Sequence, residues 1–289
     1  MSTAEIIAIG SELLSPFRVD TNSLYLTRSL EERGIKLVAK SVIGDDLHQL
    51  VNAFRVAFER SDIIICSGGI GPTLDDLTKE ALASFLQLPL EFHADIFERI
   101  EARFRKRGFP MPAINRTQAM IPSGATILQN QHGTAPGVYM KANNKQVFLL
   151  PGVPFELQKM WELECLTLLK TEEPFLRNIF HVAMLPESTV DEMLRPVTGS
   201  LQDIRYTILA SPADIEIHLL GPQSASDELI SASAEVRAIL GNRLYAEDQA
   251  KMEEVVGRLL KERKRSVAVA ESCTGGMLAQ RFTSVPGSS

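Results

Sequence analysis

The first half of the chain alternates short, continuously apolar runs with stretches in which apolar residues recur at helical spacing. Residues 5–10, 36–42 and 62–66 have the length and the β-branched character of buried strands. Asp20 is suited to cap a helix after the first of them. After the second, an apolar stripe predicts a helix that packs on a sheet. That stripe consists of Leu47, Leu50, Val51, Phe54 and Phe58.

A further helix, with Ala81, Leu82 and Phe85 on its inner face, follows the third strand and completes a β-α-β-α-β-α order. This order predicts an α/β fold with a doubly wound, mostly parallel sheet that is covered on both faces. Ligands of such sheets bind outside the carboxyl ends of the strands. The domain should continue with a helix around Ile96, Ile100 and Phe104, whose outer side is basic at residues 103–107. A hairpin of two strands, 137–141 and 146–150, should follow. A helix over residues 154–170 should then end the domain before a linker at 171–174.

The second half predicts a small α+β domain followed by the beginning of a third unit. Ile215, Ile217 and Leu219 alternate with Glu216 and His218, as in a sheet with one wet face. A helix over residues 252–263, with its apolar side inward, and a strand over residues 266–270 should then open another α/β unit. The predicted domains are 1–172, 173–249 and 250–289, and the last has the character of a truncated fragment.

Composition limits the kinds of partner. The 289 residues include 30 Lys and Arg against 36 Asp and Glu, a net charge of −6, which opposes strong binding to nucleic acid or to anionic membranes. No apolar run approaches the roughly 18 residues that span a bilayer, and the start lacks the features of a signal peptide, so we expect a cytoplasmic protein without membrane contact. The three cysteines are widely spaced, which disfavours a disulfide scaffold or a thiolate zinc site.

The most informative stretch is SGGIGPTLDDLTKEA at residues 67–81, between a buried strand and a helix. Its glycines, Gly68, Gly69 and Gly71, permit close backbone approach, so N–H groups at the helix start are available to phosphate. A structural role is also open, since Thr73 with Asp76 three residues later resembles a capping box.

Two adjacent carboxylates, Asp75 and Asp76, stand beside this turn. They would repel a phosphate unless a cation intervened, so they indicate a divalent metal such as Mg²⁺ or Mn²⁺ between carboxylates and phosphate oxygens. Compensation of the helix dipole explains them equally well from spacing alone.

Five motifs together carry a family resemblance: EIIAIGSELL at 5–14, VDTN at 19–22, the stretch at 67–81, HGTAPG at 132–137 and PGVPFEL at 151–157. In order and spacing they resemble the competence/damage-inducible protein CinA family, over essentially the whole chain. The resemblance implies a first domain similar to the molybdopterin-binding domains of MoaB and MogA. In the GGTGxxxRDxTxEA motif of those proteins an acid serves magnesium and nucleotide chemistry. Asp76 takes the place of that acid, and Asp75 takes the place of the arginine.

The activity implied by this resemblance is metal-dependent hydrolysis of ADP-ribose to AMP and ribose 5-phosphate by residues 1–172. Asp75 and Asp76 would be the catalytic, metal-binding pair for a divalent cation of the Mg²⁺, Mn²⁺ or Co²⁺ class, with a monovalent cation as a further candidate. The nucleotide- and phosphate-binding residues would be Gly68, Gly69, Gly71, Thr73, Asp20, Asn22, Gly133, Thr134, Pro151, Gly152 and Glu156.

Two of these residues have another role open to them. Asp20 is alternatively a plain helix cap, and Glu156 alternatively offsets a helix dipole.

The other two domains have implied roles as well. Residues 173–249 are similar to a KH-like module, but they contain no GXXG loop, so we expect a structural or dimer-forming role and a homodimer. Residues 250–289 resemble the start of a nicotinamide-nucleotide amidohydrolase domain. Its ESCTGG motif makes Ser272 the implied nucleophile for nicotinamide mononucleotide deamidation by the complete domain, in pyridine-nucleotide recycling. Ser272 is alternatively a helix cap, and Cys273 is expected to be a small buried side chain.

Two other classes of function compete with this hypothesis. A molybdopterin-binding or adenylyl-transferring protein would use the same pocket for a pterin phosphate, although Asp75 in place of arginine disfavours it. A non-catalytic competence module would bind DNA in a salt-sensitive way, which the acidic balance disfavours. The loop Ser15-Pro16-Phe17-Arg18 departs from the glycine and glutamine common in the family, so its contribution to the pocket is open.

Overall fold

The structure, a computed structural model, describes residues 2–170, 173–211, 214–248 and 250–288. The chain divides into two compact units, the first ending at Pro174 and the second beginning at Phe175. The predicted linker lies at this division, and its residues Thr171 and Glu172 are outside the described ranges. Gln249, at the predicted start of the third domain, is outside them too.

The first unit follows the predicted alternation of strands and helices. In chain order its elements are β1 (Thr3–Ile9), α1 (Thr21–Glu31), β2 (Lys36–Ile43), α2 (Leu47–Arg60), β3 (Ile63–Ser67), α3 (Thr78–Leu86), β4 (Leu90–Phe92), α4 (Ala94–Lys106), β5 (Met120–Pro122), β6 (Thr126–Leu128), β7 (Gly137–Ala142), β8 (Lys145–Leu150) and α5 (Pro154–Met160).

The main sheet has the strand order β2-β1-β3-β8-β7-β6. Its first four strands are parallel, and β7 and β6 extend it antiparallel, which confirms the predicted mostly parallel sheet. Ile7 and Ile9 of β1 join a core with α2, α3 and α4, whereas Ala4 and Ile6 join a second core with α1 and α5. Because both faces are covered, the central strands β1, β3 and β8 are mostly apolar, and their carboxyl ends meet at one edge.

Within this unit the predicted hairpin is confirmed, whereas the last helix and three short strands differ from the predictions. The predicted hairpin is present, and Asn143 and Asn144 form its turn with left-handed φ of 50° and 62°. The helix predicted over residues 154–170 is shorter, because α5 continues as a π-helical segment, Trp161–Cys165, and ends there. The strands β4, β5 and β6 were not predicted, since three residues are too few to show a period.

The second unit is built on an antiparallel sheet of order β10-β11-β9-β12. Ile215, Ile217 and Leu219 of β11 are buried against α6 and α7, as their alternation predicted. In chain order its elements are β9 (Phe175–Ala183), α6 (Glu187–Thr198), β10 (Arg205–Ser211), β11 (Asp214–Pro222), α7 (Ser226–Leu240), β12 (Leu244–Glu247), α8 (Met252–Glu262) and α9 (Met277–Thr283).

The last part of this unit corrects two expectations. The strand predicted over residues 266–270 is wrong: these residues have no regular secondary structure, since no neighbouring strand among the described residues pairs with them. The apolar side of α8 is largely uncovered, with Val255 buried and Leu259 40% exposed. No described helix is long and apolar enough to cross a membrane.

Candidate functional site

A cavity of about 820 Å³ opens at the carboxyl ends of β1, β3 and β8. The turn after β3, the start of α1 and the loop between β8 and α5 form its walls. Twelve residues predicted for the site line it: Asp20, Asn22, Gly68, Gly69, Gly71, Thr73, Asp75, Asp76, Thr134, Pro151, Gly152 and Glu156. The topology of the sheet therefore gathers four separate motifs at one edge, as expected for a doubly wound fold.

The turn after β3 is fixed by close backbone contacts. Gly68 has a φ of 109°, and a Cβ on it would lie 2.2 Å from the Ile9 carbonyl oxygen, so a larger residue does not fit. Its N–H donates to the Leu150 carbonyl at 2.9 Å, so this donor is not available to an anion. Thr78 holds the other side of the turn, because its hydroxyl donates to the Gly68 carbonyl at 2.9 Å and its N–H to the Gly69 carbonyl at 3.0 Å.

The predicted capping box is wrong, because α3 begins at Thr78 and not after Thr73. Instead, Thr73 and Asp76 close a loop of their own ahead of the helix. The Asp76 carboxylate accepts the Thr73 N–H at 2.8 Å and also the Thr73 hydroxyl. Aspartate side chains compete in this way with the helical backbone for N–H groups. Both aspartates therefore project from a loop, where a ligand can reach them.

The charge of the cavity is strongly negative. The lining holds six carboxylates and one guanidinium, that of Arg18. Asp75 is exposed, and the Thr73 hydroxyl, whose single proton it shares with Asp76, followed by a backbone N–H, holds its pKa below the ordinary value, so it is ionised at neutral pH. The carboxylates belong to Glu12, Asp20, Asp45, Asp75, Asp76 and Glu156.

A divalent cation fits Asp75 and Asp76. Both offer hard oxygen donors from an accessible loop, and the surrounding cavity has an excess of negative charge that a cation would offset. Magnesium sites commonly use only one or two carboxylates together with waters and substrate phosphates, so this pair is a sufficient protein donor set.

Asn22 connects the first turn of α1 to two other walls of the cavity. Its Nδ2 donates to Ser67 Oγ and to the Gly152 carbonyl, both at 2.8 Å, and the residue is 7% exposed. Its buried Oδ1 has no hydrogen-bond partner. Asp20 caps α1, because its carboxylate accepts the Ser23 N–H at 2.9 Å. The cap role of Asp20 is thus present, and it also lines the cavity.

The opposite wall depends on a residue that the sequence did not suggest. Asn130 donates to Glu156 Oε2 at 2.7 Å, and its Oδ1 accepts the Gly133 N–H at 2.7 Å. Gly133 does not line the main cavity but a small neighbouring recess. A Cβ on Gly133 would lie 1.8 Å from Glu156 Oε2, so this glycine allows close packing where ligand binding was predicted.

Further residues of the site were missed. Gln118 lines the cavity while almost fully buried, donates to Thr134 Oγ1 at 3.1 Å and leaves its own Oε1 without a partner. Asp45 follows β2 and accepts the Ser11 N–H at 2.7 Å, so the rule that ligands meet at strand ends could have found it. No periodic signal marks Gln118, because it lies in the short 3-10 segment Ala113–Ala119.

Ser272 belongs to the second unit and is not among the residues that line this cavity. It is exposed, and the predicted cap role is wrong, because Gly276 is the N-cap of α9. Glu271 instead accepts the N–H groups of Leu278 and Ala279, at 2.9 and 2.8 Å. Cys273 is exposed, contrary to the buried role considered for it.

The basic helix faces differ from each other. The basic segment at residues 261–265, at the end of α8 and just after it, is exposed. Arg103, expected in solvent, donates to the carbonyls of Asn130 and Gln131 at 3.2 and 2.5 Å and so ties α4 to the loop beside the cavity.

The doubly wound sheet with a glycine turn and acidic cavity at its strand ends is that of a molybdopterin-binding type of domain. Residues 5–171 match the family described as "Probable molybdopterin binding domain", and residues 249–289 match the "CinA C-terminal domain". A "CinA-like protein" of Solibacter usitatus is 43% identical over 293 residues, which is 99% of this chain and 70% of that protein. One of Koribacter versatilis is 40% identical over 300 residues, 99% of this chain and 72% of that protein. The chain belongs to the CinA-like, competence/damage-inducible protein family.

A solved structure is similar to more than half of this chain. The crystal structure of "the protein CinA with unknown function from Thermoplasma acidophilum" matches with a TM-score of 0.54 and 32% identity. The match covers 58% of this chain and 98% of that one.

Proposed function

We propose that the first unit hydrolyses ADP-ribose, a nucleoside diphosphate sugar, in the presence of a divalent cation. The observation that carries this proposal is the charge of the cavity, six carboxylates against one guanidinium, at the strand ends of a nucleotide-binding type of sheet. A bare diphosphate would be repelled from such a cavity, whereas a diphosphate together with a cation would be attracted.

The size and surface of the cavity support a nucleotide. Its volume of about 820 Å³ lies within the range of sites for drug-sized ligands. Phe17 and Val19 line it while remaining 87% and 78% exposed, and they offer apolar surface to a base. The departing loop at residues 15–18 therefore contributes the Phe17 surface and the Arg18 charge.

The protein's own residues would position the reactants. A bound cation would supply charge neutralisation and make an attacking water more acidic. Thr73 holds the Asp76 carboxylate in place, and Asn22 fixes the wall that faces the glycine turn. The oxygen of water adds to one phosphorus, the bridging P–O bond breaks, and AMP and ribose 5-phosphate leave.

The test is release of AMP from ADP-ribose with Mg²⁺ or Mn²⁺, followed by chromatography. We expect Asp76→Asn and Asp75→Asn to lower the rate at least about 100-fold, since each removes charge stabilisation at the reacting phosphate. Asp75→Asn is the cleaner variant because Asp76 also holds the loop. Asp95→Asn, at an exposed position of α4 outside the cavity lining, is the matched control and should keep the full rate. Equal rates in all three variants would refute the proposal.

A pterin phosphate is the second candidate ligand, since the match over residues 5–171 is to a "Probable molybdopterin binding domain". Asp75 replaces the arginine of the MoaB and MogA motif and so removes a positive charge that would favour the phosphate. Calorimetric binding of a pterin phosphate, with no cleavage of ADP-ribose, would favour this candidate.

The second proposed activity is deamidation of nicotinamide mononucleotide to nicotinate mononucleotide and ammonia by the complete C-terminal domain. The match of residues 249–289 to the "CinA C-terminal domain" and the ESCTGG motif support it. Together the two activities would serve pyridine-nucleotide recycling. Ser272→Ala in a chain with the whole domain should abolish ammonia release and leave ADP-ribose hydrolysis unchanged.

A further inference from the structure

A second group of metal-ligand side chains lies in the second unit, on one face of its antiparallel sheet. His181 of β9 pairs directly across from Glu216 of β11, and Asp214 is two residues before Glu216. The neighbours of these residues, Phe180 and Ile215, are in the core with α6 and α7, so the three side chains lie on the other face. Ligand atoms of all three lie within 4.8 Å of one another.

The hydrogen bonding of His181 shows which ring nitrogen faces the group. Nε2 lies 2.8 Å from the Asp248 carbonyl oxygen, which only accepts, so Nε2 carries the proton. In the neutral ring Nδ1 is then an acceptor. It is buried without a hydrogen-bond partner and lies 3.5 Å from Asp214 Oδ2, in a residue that is 7% exposed.

A lone pair aimed at a carboxylate in a buried place is unfavourable unless positive charge lies between them. Histidines that bind metals usually donate their other N–H to a carbonyl or carboxylate, which fixes the ring with one nitrogen toward the ion. The Asp248 carbonyl does this for His181. The ring is thus oriented as it would be in a metal site.

Both carboxylates are also oriented by neighbours. The Tyr245 hydroxyl donates to Asp214 Oδ1 at 2.9 Å, which leaves Oδ2 as the atom beside His181. Glu216 Oε2 lies 3.0 Å from His218 Nε2.

We propose that His181, Asp214 and Glu216 bind a divalent transition-metal ion, for which Zn²⁺ is the probe. One imidazole and two carboxylates form a mixed nitrogen and oxygen set, which suits Zn²⁺ better than Mg²⁺ or Ca²⁺. Three protein ligands leave a position for water. The ion would join β9 to β11 and, through Asp248, to the segment after β12. This site is independent of the proposed hydrolysis, because all its residues are in the second unit.

The experiment is zinc titration by calorimetry in the Asp75→Asn/Asp76→Asn chain, from which the carboxylate pair of the first unit has been removed. We expect one zinc per chain, and at least a 10-fold weaker affinity when either His181→Gln or Asp214→Asn is added. Glu216→Gln tests the third ligand. His48→Gln, at an exposed histidine of α2, is the matched control and should bind zinc unchanged.

Two results would overturn the proposal. One is that no zinc binds at millimolar concentration, or that zinc binds with the same affinity after His181→Gln. The other is a His181 ring protonated on both nitrogens at neutral pH, seen by nitrogen NMR and unaffected by zinc, which would make Asp214 its ion-pair partner. Circular dichroism of each variant distinguishes a lost ligand from a lost fold.

Discussion

At the scale of single residues, Asn22 joins two walls of the candidate site through one amide nitrogen. Asn22→Ala would leave Ser67 Oγ and the Gly152 carbonyl without their shared donor. We expect a loss of about 1–3 kcal/mol in the free energy of unfolding. Trp161, the one tryptophan and fully buried in the first unit, reports this unfolding by fluorescence in a denaturant titration.

Asp20→Ala provides the comparison, because it removes a helix cap at the same end of α1 and should cost about 1 kcal/mol. An Asn22→Ala chain as stable as the parent would contradict the anchoring role.

Lys79 gives a prediction about pH. Its ammonium is buried, donates to the Thr117 carbonyl at 2.7 Å, and has its pKa lowered by burial to about 8. Since the unfolded chain binds this proton more tightly, the contribution of Lys79 to stability should rise with pH from about 8 toward 10.5, by roughly 3 kcal/mol. Other groups oppose this gain: burial raises the pKa of the Cys66 and Cys165 thiols, which lowers stability above about pH 9, and it raises the pKa of Tyr25 and Tyr206 to about 12, which lowers stability above about pH 10.

Denaturant titrations at pH 7 to 10, without divalent cations, measure this effect. Because both chains contain the same cysteines and tyrosines, the stability of the parent relative to the Lys79→Met chain isolates the lysine, and this difference should rise between pH 8 and 10. The same pH dependence in both chains would mean that the lysine titrates normally in the folded protein.

The residues of the candidate site could be predicted only in part. Asp75, Asp76 and the glycines were found because they directly follow a recognisable strand. Asn130 and Gln118 were not, since each acts from an irregular segment and is brought to the site by tertiary contacts. Thr73 was found, but as a helix cap, because sequence spacing does not show that Asp76 closes a separate loop.

At the scale of elements, the β7–β8 hairpin depends on left-handed backbone at its turn. Asn144→Val should lower the free energy of unfolding by about 1–2 kcal/mol, because a β-branched residue is strained there. Asn144→Gly, which adopts this φ without strain, is the control and should be at least as stable as the parent. Trp161 fluorescence again follows the transition, and equal stability of both variants would contradict a left-handed turn.

The helices α8 and α9 should be the least protected from exchange. Val255 is the residue that α8 buries, α9 buries none, and residues 265–271 between them have no regular secondary structure. Regions with so few buried contacts open at low free energy. Hydrogen exchange read by mass spectrometry should show residues 252–288 exchanging well before α7, and equal protection of both would contradict this.

Strands were predicted correctly where both faces of the strand are buried, or where buried and exposed residues alternate along it. The strands β1 and β3 are buried almost throughout and mostly apolar because helices cover both faces, and β11 alternates because one face is buried. A run of apolar residues also predicted a strand at residues 266–270, and that prediction is wrong. An apolar run becomes a strand only when a neighbour pairs with its backbone, and no described residue does so there.

At the scale of the whole molecule, the acidic balance and the family resemblance lead to two expectations. A net charge of −6 predicts no salt-sensitive affinity for duplex DNA, which fluorescence anisotropy at low and moderate salt can measure. Tight, salt-dependent binding would instead favour a competence module. We also propose the homodimer implied by the resemblance, and light scattering gives the mass that decides it.

We propose that the cavity at the strand ends binds a diphosphate through a cation held by Asp75 and Asp76. A crystal structure of the chain with ADP-ribose and Mn²⁺, its anomalous signal marking the ion, would show this binding mode. We expect the ion between both carboxylates and the diphosphate, against the turn at residues 68–73. A nucleotide bound elsewhere, with both aspartates in solvent and no ion beside them, would contradict it.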